Sequence, residues 1–341
     1  MSATTVNPTS TTSDVVQENP VSRAVRAVGG QNLSLILAIV ALVLVIGSRN
    51  SSFYLASNLK TIGMAVTISG LLAVVQTVVI IMGGIDLTVG SVAGLASVSS
   101  AMIFTHAGST VSFVGALAIG AVCGLISGCI VVFGRVTPMI ATLAGLIAFK
   151  GVAQLVSDGR AQGYTGADPF YIFLARGSVL GIPTLIWVLA LVAALVHVML
   201  RYTRIGRNIY AVGGNDTAAR LSGIKINRYI LGVFILAGVV AALAGILITA
   251  RTGSGQPVSG SEGLEFQSIT AAALGGVALR GGKGSMSGTI LAVILLGILL
   301  NGMSLLGVNP FWQNVAQGSL LVAAVVIQQL RNGERRVGLP K

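Results

Sequence analysis

TIGMAVTISGLLAVVQTVVIIM, residues Thr61–Met82, runs for twenty-two positions without a charged side chain. About 20 apolar residues are enough to cross a bilayer as a helix. A half-buried soluble helix would show a polar face at helical spacing. A transmembrane strand would alternate polarity over about ten residues. This stretch is apolar on every side, with Gln76 its one carboxamide, so it reads as a membrane helix.

The same pattern spreads in both directions. Comparable runs lie at 33–47, 87–104, 111–134, 137–156, 182–200, 229–250, 266–279, 286–306 and 311–330, which makes ten candidate spans. The run at 266–279 is short for a straight crossing and is expected to re-enter or to continue a neighbouring helix. The whole chain of 341 residues is 54% hydrophobic and 9% charged. Soluble domains are about 25% charged, so a soluble globular enzyme is excluded, and disorder needs the opposite composition. Ten helices use roughly 200 residues. What remains is too short for a nucleotide-binding domain of roughly 100–200 residues. The expected fold class is an all-α polytopic membrane protein of about ten transmembrane helices.

Charge gives the orientation. With the N-terminus placed in the cytoplasm and the spans alternating, fifteen Lys and Arg fall inside and five outside, with Lys150 inside a span. Cytoplasmic connections are enriched in Lys and Arg, so both termini are expected in the cytoplasm. The net charge of +12 therefore reads as membrane orientation rather than nucleic-acid affinity. Residues 1–30 open with a Ser/Thr-rich tract and read as a disordered cytoplasmic tail; residues 31–331 form the membrane domain and 332–341 a second cytoplasmic tail. No small-residue cleavage site follows the first run, so it reads as a retained span. Cys123 and Cys129 sit six apart in one apolar stretch and offer neither a disulfide framework nor a metal cluster. Most of the 45 glycines read as close helix–helix contacts.

The longest expected cytoplasmic connection, residues 201–228, has a readable middle. Asn215 or Asp216 can cap a helix start. Ala218, Ala219 and Arg220 continue one or two turns, and Gly223 can take the left-handed conformation that ends them. Gly213 and Gly214 frame the other side. A short helix so bounded is a docking element for a cytoplasmic partner, or else an incidental surface turn. GGKGS at 281–285 imitates a phosphate-binding loop but fails twice, because position 277 is Val and position 284 is Gly. It reads as a flexible cytoplasmic turn.

Four stretches carry a family resemblance. GRNIYAVGGNDTAARLSGI (Gly206–Ile224) resembles the coupling segment of bacterial ABC importer permeases, either with Thr217 where their short pattern has Glu or with Asp216 as the acidic position and a spacing to Gly223 one residue longer. MGGIDLTVGS (Met82–Ser91) resembles the GGIDLSVGS signature of the sugar-importing branch. LGGVALRGGKGSMSGT (Leu274–Thr289) and NGMSLLGVNPFWQNVAQG (Asn301–Gly318) resemble further segments of the same group. The chain is thus similar to ribose-type permeases of the branched-chain amino acid/sugar permease superfamily. The resemblance implies a homodimer with a type II ABC importer-like fold in the bacterial cytoplasmic membrane. It implies two cytoplasmic ATP-binding subunits docked at Gly214, Asn215, Asp216, Ala218, Ala219, Arg220 and Gly223, and an extracytoplasmic sugar-binding protein. ATP and Mg would be bound by the partner, and this chain would need no cofactor and would not itself be an enzyme.

Candidates for the translocation path or its gating are the polar groups near or within spans: Gln76, Asp86, Asn301, Trp312 and Asn314. Each has a plainer reading. Asp86 can cap the helix that follows it; Gln76 and Asn301 can join interhelical hydrogen bonds; Trp312 can anchor at the membrane interface. Lys150 is expected to snorkel outward. The outer connections at 158–183 and 252–265, with Asp158, Asp168, Glu262 and Glu265, are expected to face basic groups of the binding protein. Two other function classes compete. An ion-coupled carrier would place several ionisable groups in mid-membrane, where this sequence offers Asp86 and Lys150. An intramembrane hydrolase would need Ser127 and His197 within hydrogen-bond reach.

Overall fold

The computed structural model describes residues 30–331; the two expected tails, at 1–29 and 332–341, lie outside the described residues. In chain order the helices are α1 (Gly30–Arg49), α2 (Ala56–Ile81), α3 (Val89–Val132), α4 (Pro138–Ser157), α5 (Pro169–Arg176), α6 (Thr184–Tyr202), α7 (Arg204–Gly214), α8 (Asp216–Leu221), α9 (Ile226–Thr252), α10 (Leu264–Leu274), α11 (Met286–Leu305) and α12 (Pro310–Arg331). A two-residue hairpin pair, β1 (Ser178–Val179) and β2 (Ile182–Pro183), stands between α5 and α6. Eight of the described helices are long and apolar enough to cross a membrane. Each of the ten apolar runs is helical over most of its length.

Helix α3 accounts for two of those runs. Its backbone leaves the helical region at Gly108, with φ 78° and ψ 176°. Ser112 Oγ donates to the Ser100 carbonyl at 2.5 Å, although twelve residues of straight helix span about 18 Å. The chain therefore folds back at Gly108 into two limbs, residues 89–107 and 109–132. Glycine serves there because an L side chain resists that conformation.

Helix α9 lies against both limbs. A Cβ at Gly238 would overlap the Gly120 carbonyl oxygen, and a Cβ at Gly245 would stand 3.0 Å from Ser97 N. Thr249 Oγ1 donates to the Ser97 carbonyl at 2.9 Å. Side chains are nearly absent from this contact, so two backbones come within van der Waals range, as small residues allow in membranes. Helix α2 is the second central element: residues 66–82 are buried throughout, which explains a sequence apolar on every face.

Two stretches of non-helical backbone lie inside the body. Residues 84–88 join α2 to α3. Residues 253–263 join α9 to α10 and descend along the first limb of α3. Gly255 exchanges backbone hydrogen bonds with Gln162 at 2.8 and 2.9 Å, and Gln256 N donates to Ser97 Oγ at 3.0 Å. A Cβ at Gly94 would lie 2.6 Å from Pro257 O, and one at Gly90 would lie 2.9 Å from Ser261 O. This corrects the expectation of an outer surface loop at 252–265. Its Gly/Ser/Pro composition marks a break in helix, but part of the broken backbone is taken up by Gln162, Thr165 and Ser97.

The helix ends gather on two faces. Arg135, Arg201, Arg204, Arg207, Arg220, Lys225, Arg228, Arg280 and Lys283 stand at one face, here the basic face. Arg49, Lys60, Arg160, Arg176 and Arg251 stand at the far face. On that far face the segment 158–183 is more structured than a receptive loop. Asp168 caps α5 by accepting from Phe170 N and Tyr171 N, and Tyr171 is fully buried with its hydroxyl 2.6 Å from Ser112 Oγ.

The α3–α9 contact yields a test. Gly238→Val forces two backbones apart, and overpacking of this kind destabilises by about 1–3 kcal/mol. At Gly232 on the same helix an added Cβ would meet nothing within 4 Å, so Gly232→Ala should be neutral or gain up to ~1 kcal/mol of helix propensity. Thermal unfolding of the purified protein in detergent should show a lowered midpoint for the first variant only.

Candidate functional site

Three glycine pairs, far apart in sequence, meet at the basic face. They are Gly83-Gly84 after α2, Gly213-Gly214 at the end of α7, and Gly281-Gly282 between α10 and α11. Gly282 N donates to the Ile81 carbonyl at 2.8 Å. A Cβ at Gly213 would overlap that same carbonyl oxygen, and a Cβ at Gly281 would lie 2.8 Å from Gly213 O and 2.9 Å from Gly83 Cα. The Tyr210 hydroxyl donates to Gly284 O at 2.9 Å. Burial pushes the Tyr210 phenol above its ordinary pKa, with Arg201 opposing, so it stays a neutral donor. The GGKGS turn is thus pinned by backbone contacts, which corrects the reading of a flexible turn.

Helix α8 projects from this crossing, and its ends are closed by its own residues. Asn215 Oδ1 accepts from Ala218 N at 2.9 Å, while Asp216 Oδ1 takes the Thr217 amide at 2.8 Å. At the other end Gly223 N donates to Arg220 O at 3.0 Å and Ile224 N to Ala219 O at 3.1 Å. Gly223 has φ 81°. This pair of bonds around a left-handed glycine is the Schellman arrangement. Ala219 is the buried foot, while Asp216, Ala218, Arg220 and Gly223 face outward. Leu221, which the sequence reading did not single out, is 85% exposed at the tip. Its signal was available: a large apolar residue in the last turn of an otherwise polar loop. Beneath α8 lies a cleft of about 450 Å³ bounded by Met82, Arg135, Asn215, Asp216, Arg220 and Arg280.

The remaining polar candidates separate into two levels. Gln76 and Asp86 meet in the interior. With its amide oriented to satisfy both groups, Gln76 donates to the Asp86 carbonyl at 3.0 Å and accepts the Asp86 N–H at 3.2 Å. Asp86 Oδ1 accepts from Thr88 N at 2.8 Å and Thr88 Oγ1 at 2.6 Å. The N-cap residue of α3 is Thr88, so Asp86 acts two residues before the cap position. Asn301 lies near the far face in a reciprocal amide pair with Asn58, at 2.9 and 3.2 Å. Trp312 is 64% exposed. Asn314 lines a cleft of about 490 Å³ with Gln317, Glu262 and Phe266.

Asp86 and Glu265 are the buried carboxylates among the described residues. Lys150 is paired, its Nζ lying 2.7 Å from Glu262 Oε1. Glu265 is 7% exposed, and a Cβ at Gly90 would overlap its carboxylate. Of the four acids expected to face a partner, Glu265 is thus buried and Glu262 is paired but exposed. Ser127 Oγ is buried without a hydrogen-bond partner, and the His197 ring instead stacks edge-on with Tyr202 at 6.3 Å. The nucleophile–base contact that a hydrolase requires is missing from this pair. Cys123 and Cys129 are free thiols.

Comparison with known proteins gives the family. A family model described as branched-chain amino acid transport system / permease component matches residues 58–325. The ribose import permease protein of Escherichia coli (strain K12) is 37% identical over 295 residues, which cover 86% of this chain and 92% of that protein. The ribose import permease protein of Bacillus subtilis (strain 168) is 37% identical over 306 residues, covering 89% and 94%. The L-arabinose transport system permease protein of Escherichia coli (strain K12) is 33% identical over 287 residues, covering 82% and 84%. No solved structure matches. The chain belongs to the branched-chain amino acid transport system / permease component family, among its ribose-type ABC sugar permeases, and is a multi-pass protein of the bacterial cytoplasmic membrane.

Proposed function

We propose that this chain is the translocating subunit of an importer for ribose or a related monosaccharide or polyol, driven by ATP hydrolysis in a separate chain. The observation that carries the proposal is α8. It is a short, doubly capped helix on the basic face, with Leu221 bared and its base locked by glycine contacts to the end of α2 and to the 280–284 turn. An apolar tip on a rigid, charged loop is suited to enter a groove of a cytoplasmic protein. The basic face takes the cytoplasmic side by the Lys/Arg rule. The ten helical runs, with the start of α1 and the end of α12 on that side, fit a type II importer arrangement, with two copies of the chain and two ATP-binding subunits. ATP and Mg belong to those subunits. An extracytoplasmic sugar-binding protein delivers substrate at the far face, where Trp312 and Asn314 stand at the start of α12. Gln76 and Asp86 hold the interrupted backbone on which the path depends, and Asn301 ties α11 to α2 beside its outer end.

Three outcomes test this reading. Uptake of labelled ribose into vesicles containing the reconstituted importer should require ATP, and an imposed proton or sodium gradient should not replace it; ribose accumulation on a gradient alone would support an ion-coupled carrier instead. Gly223→Val places a β-branched residue at positive φ, a strain of about 1–3 kcal/mol. The variant should keep partner ATP hydrolysis while uptake falls several-fold, and normal uptake would count against the docking geometry. Leu221→Ala removes an apolar side chain whose burial is worth about 1.5–3 kcal/mol. Its association with the ATP-binding subunit, followed by co-purification or by calorimetry, should weaken roughly ten-fold or more.

A further inference from the structure

The interior face formed by α4, the descending segment 253–263, α10 and α12 is unlike the rest of the membrane-level surface. Two adjoining clefts open on it. One, of about 310 Å³, is bounded by Gly90, Leu143, Lys150, Ser261, Glu262 and Phe266. The other, of about 490 Å³, shares Glu262, Gly263 and Phe266 and continues to Thr270, Asn314 and Gln317. Together they make one seam, apolar over most of its lining, with Lys150, Glu262, Asn314 and Gln317 among its polar groups. Lys150 lies seven residues before the end of α4, and Gln317 seven residues after the start of α12. At 1.5 Å per residue, both stand about 10 Å inside the far-face helix ends, within a hydrocarbon core about 30 Å thick.

At that depth the Lys150 and Glu262 side chains are 36% and 68% exposed. A charge bared to lipid is strongly disfavoured, so this surface meets water or polar groups. The exposed face of α6 shows what a lipid-facing surface of the same chain looks like: Trp187, Leu191, Leu195 and Val198 follow one another at helical spacing without a polar residue. The seam also has the chemistry of carbohydrate contact. A sugar hydroxyl can donate to the Glu262 carboxylate and accept from the Lys150 ammonium or from the Asn314 and Gln317 amides. Phe266, 53% exposed, offers a flat apolar face to a ring's C–H side. The pair neutralises itself, as suits an uncharged cargo, and several moderate contacts permit both entry and release.

We propose that the seam of Lys150, Glu262, Phe266, Asn314 and Gln317 is the wall of the translocation path and hydrogen-bonds the passing sugar. This assignment rests on the permease reading and goes beyond it by naming the contact residues. It differs from the candidates visible in sequence: of those, Asn314 alone lies on the seam, while Gln76, Asp86 and Asn301 are engaged in backbone or interhelical hydrogen bonds.

The experiment uses the assembled importer with its ATP-binding and sugar-binding partners, in a background with Cys123→Ala and Cys129→Ala. Asn314→Cys, Gln317→Cys and the control Leu195→Cys are each labelled with a charged, membrane-impermeant methanethiosulfonate. The seam cysteines should react at least ten-fold faster than Leu195→Cys, and sugar turnover should slow them. In parallel, Glu262→Gln and the double variant Asn314→Ala/Gln317→Ala should raise the KM for uptake several-fold while ATP hydrolysis persists. Labelling no faster than at Leu195→Cys, or unchanged uptake kinetics in the double variant, would overturn the seam. Failure of the unmodified importer to move sugar on ATP would overturn the permease reading itself, a result distinguishable from slow labelling in an active importer.

Discussion

The Gln76 carboxamide clasps both polar groups of the Asp86 backbone, at 3.0 and 3.2 Å, within the buried body of the protein. Hydrocarbon offers nothing to an unpaired peptide group, so non-helical backbone at membrane depth survives only when protein or a water-filled cavity satisfies it. Residues 84–88 meet that condition through Gln76, through the Asp86–Thr88 bonds, and through Thr142 Oγ1, which donates to Ile85 O at 3.0 Å. Once this segment is held, α3 can begin in mid-body and rise to the far face. The resulting space receives the descending segment 253–263, whose own backbone is taken up by Ser97 and Gln162.

The two interruptions are counterparts. After α2 the chain turns back at the basic face, passes through non-helical backbone and starts the first limb of α3 toward the far face. After α9 it turns back at the far face, passes through bends and turns and starts α10 toward the basic face. Two buried helices are each followed by a non-helical segment and a shorter helix, in opposite senses. Discontinuous helices of this kind collect their N-terminal amides near the membrane middle, where transporters place their polar groups. Gly90, Ser261 and Glu265 come together there because the descending segment could not approach α3 if Gly90 and Gly94 carried side chains.

Much of this was legible in the sequence, and for physical reasons. Apolarity sustained over a bilayer's thickness fixed the helices, and the polar or glycine-bearing gaps between runs located their ends; the gap at 105–110 contains Gly108, where α3 folds back. Local hydrogen bonding fixed α8, since Asn215 and Gly223 act on neighbours in the chain. What escaped were relations between distant residues. Lys150 and Glu262 are 112 positions apart, and nothing local distinguishes a snorkelling lysine from a paired one. The segment 252–265 is rich in Gly, Ser and Pro whether it lies on a surface or is threaded inward, because composition reports the absence of helix and not what replaces it. The three glycine pairs are visible as motifs, but their meeting depends on the whole fold.

That meeting has a mechanical consequence. A side-chain contact can absorb displacement, because rotamers change and methyl groups slide. Where Gly213, Gly281 and Gly83 touch, backbone rests on backbone, and the Ile81 carbonyl is bonded directly to Gly282 N. No side chain intervenes between the end of α7 and the end of α2, so these two ends are bound to move together, while α8 is joined to them through the backbone of Gly214 and Asn215.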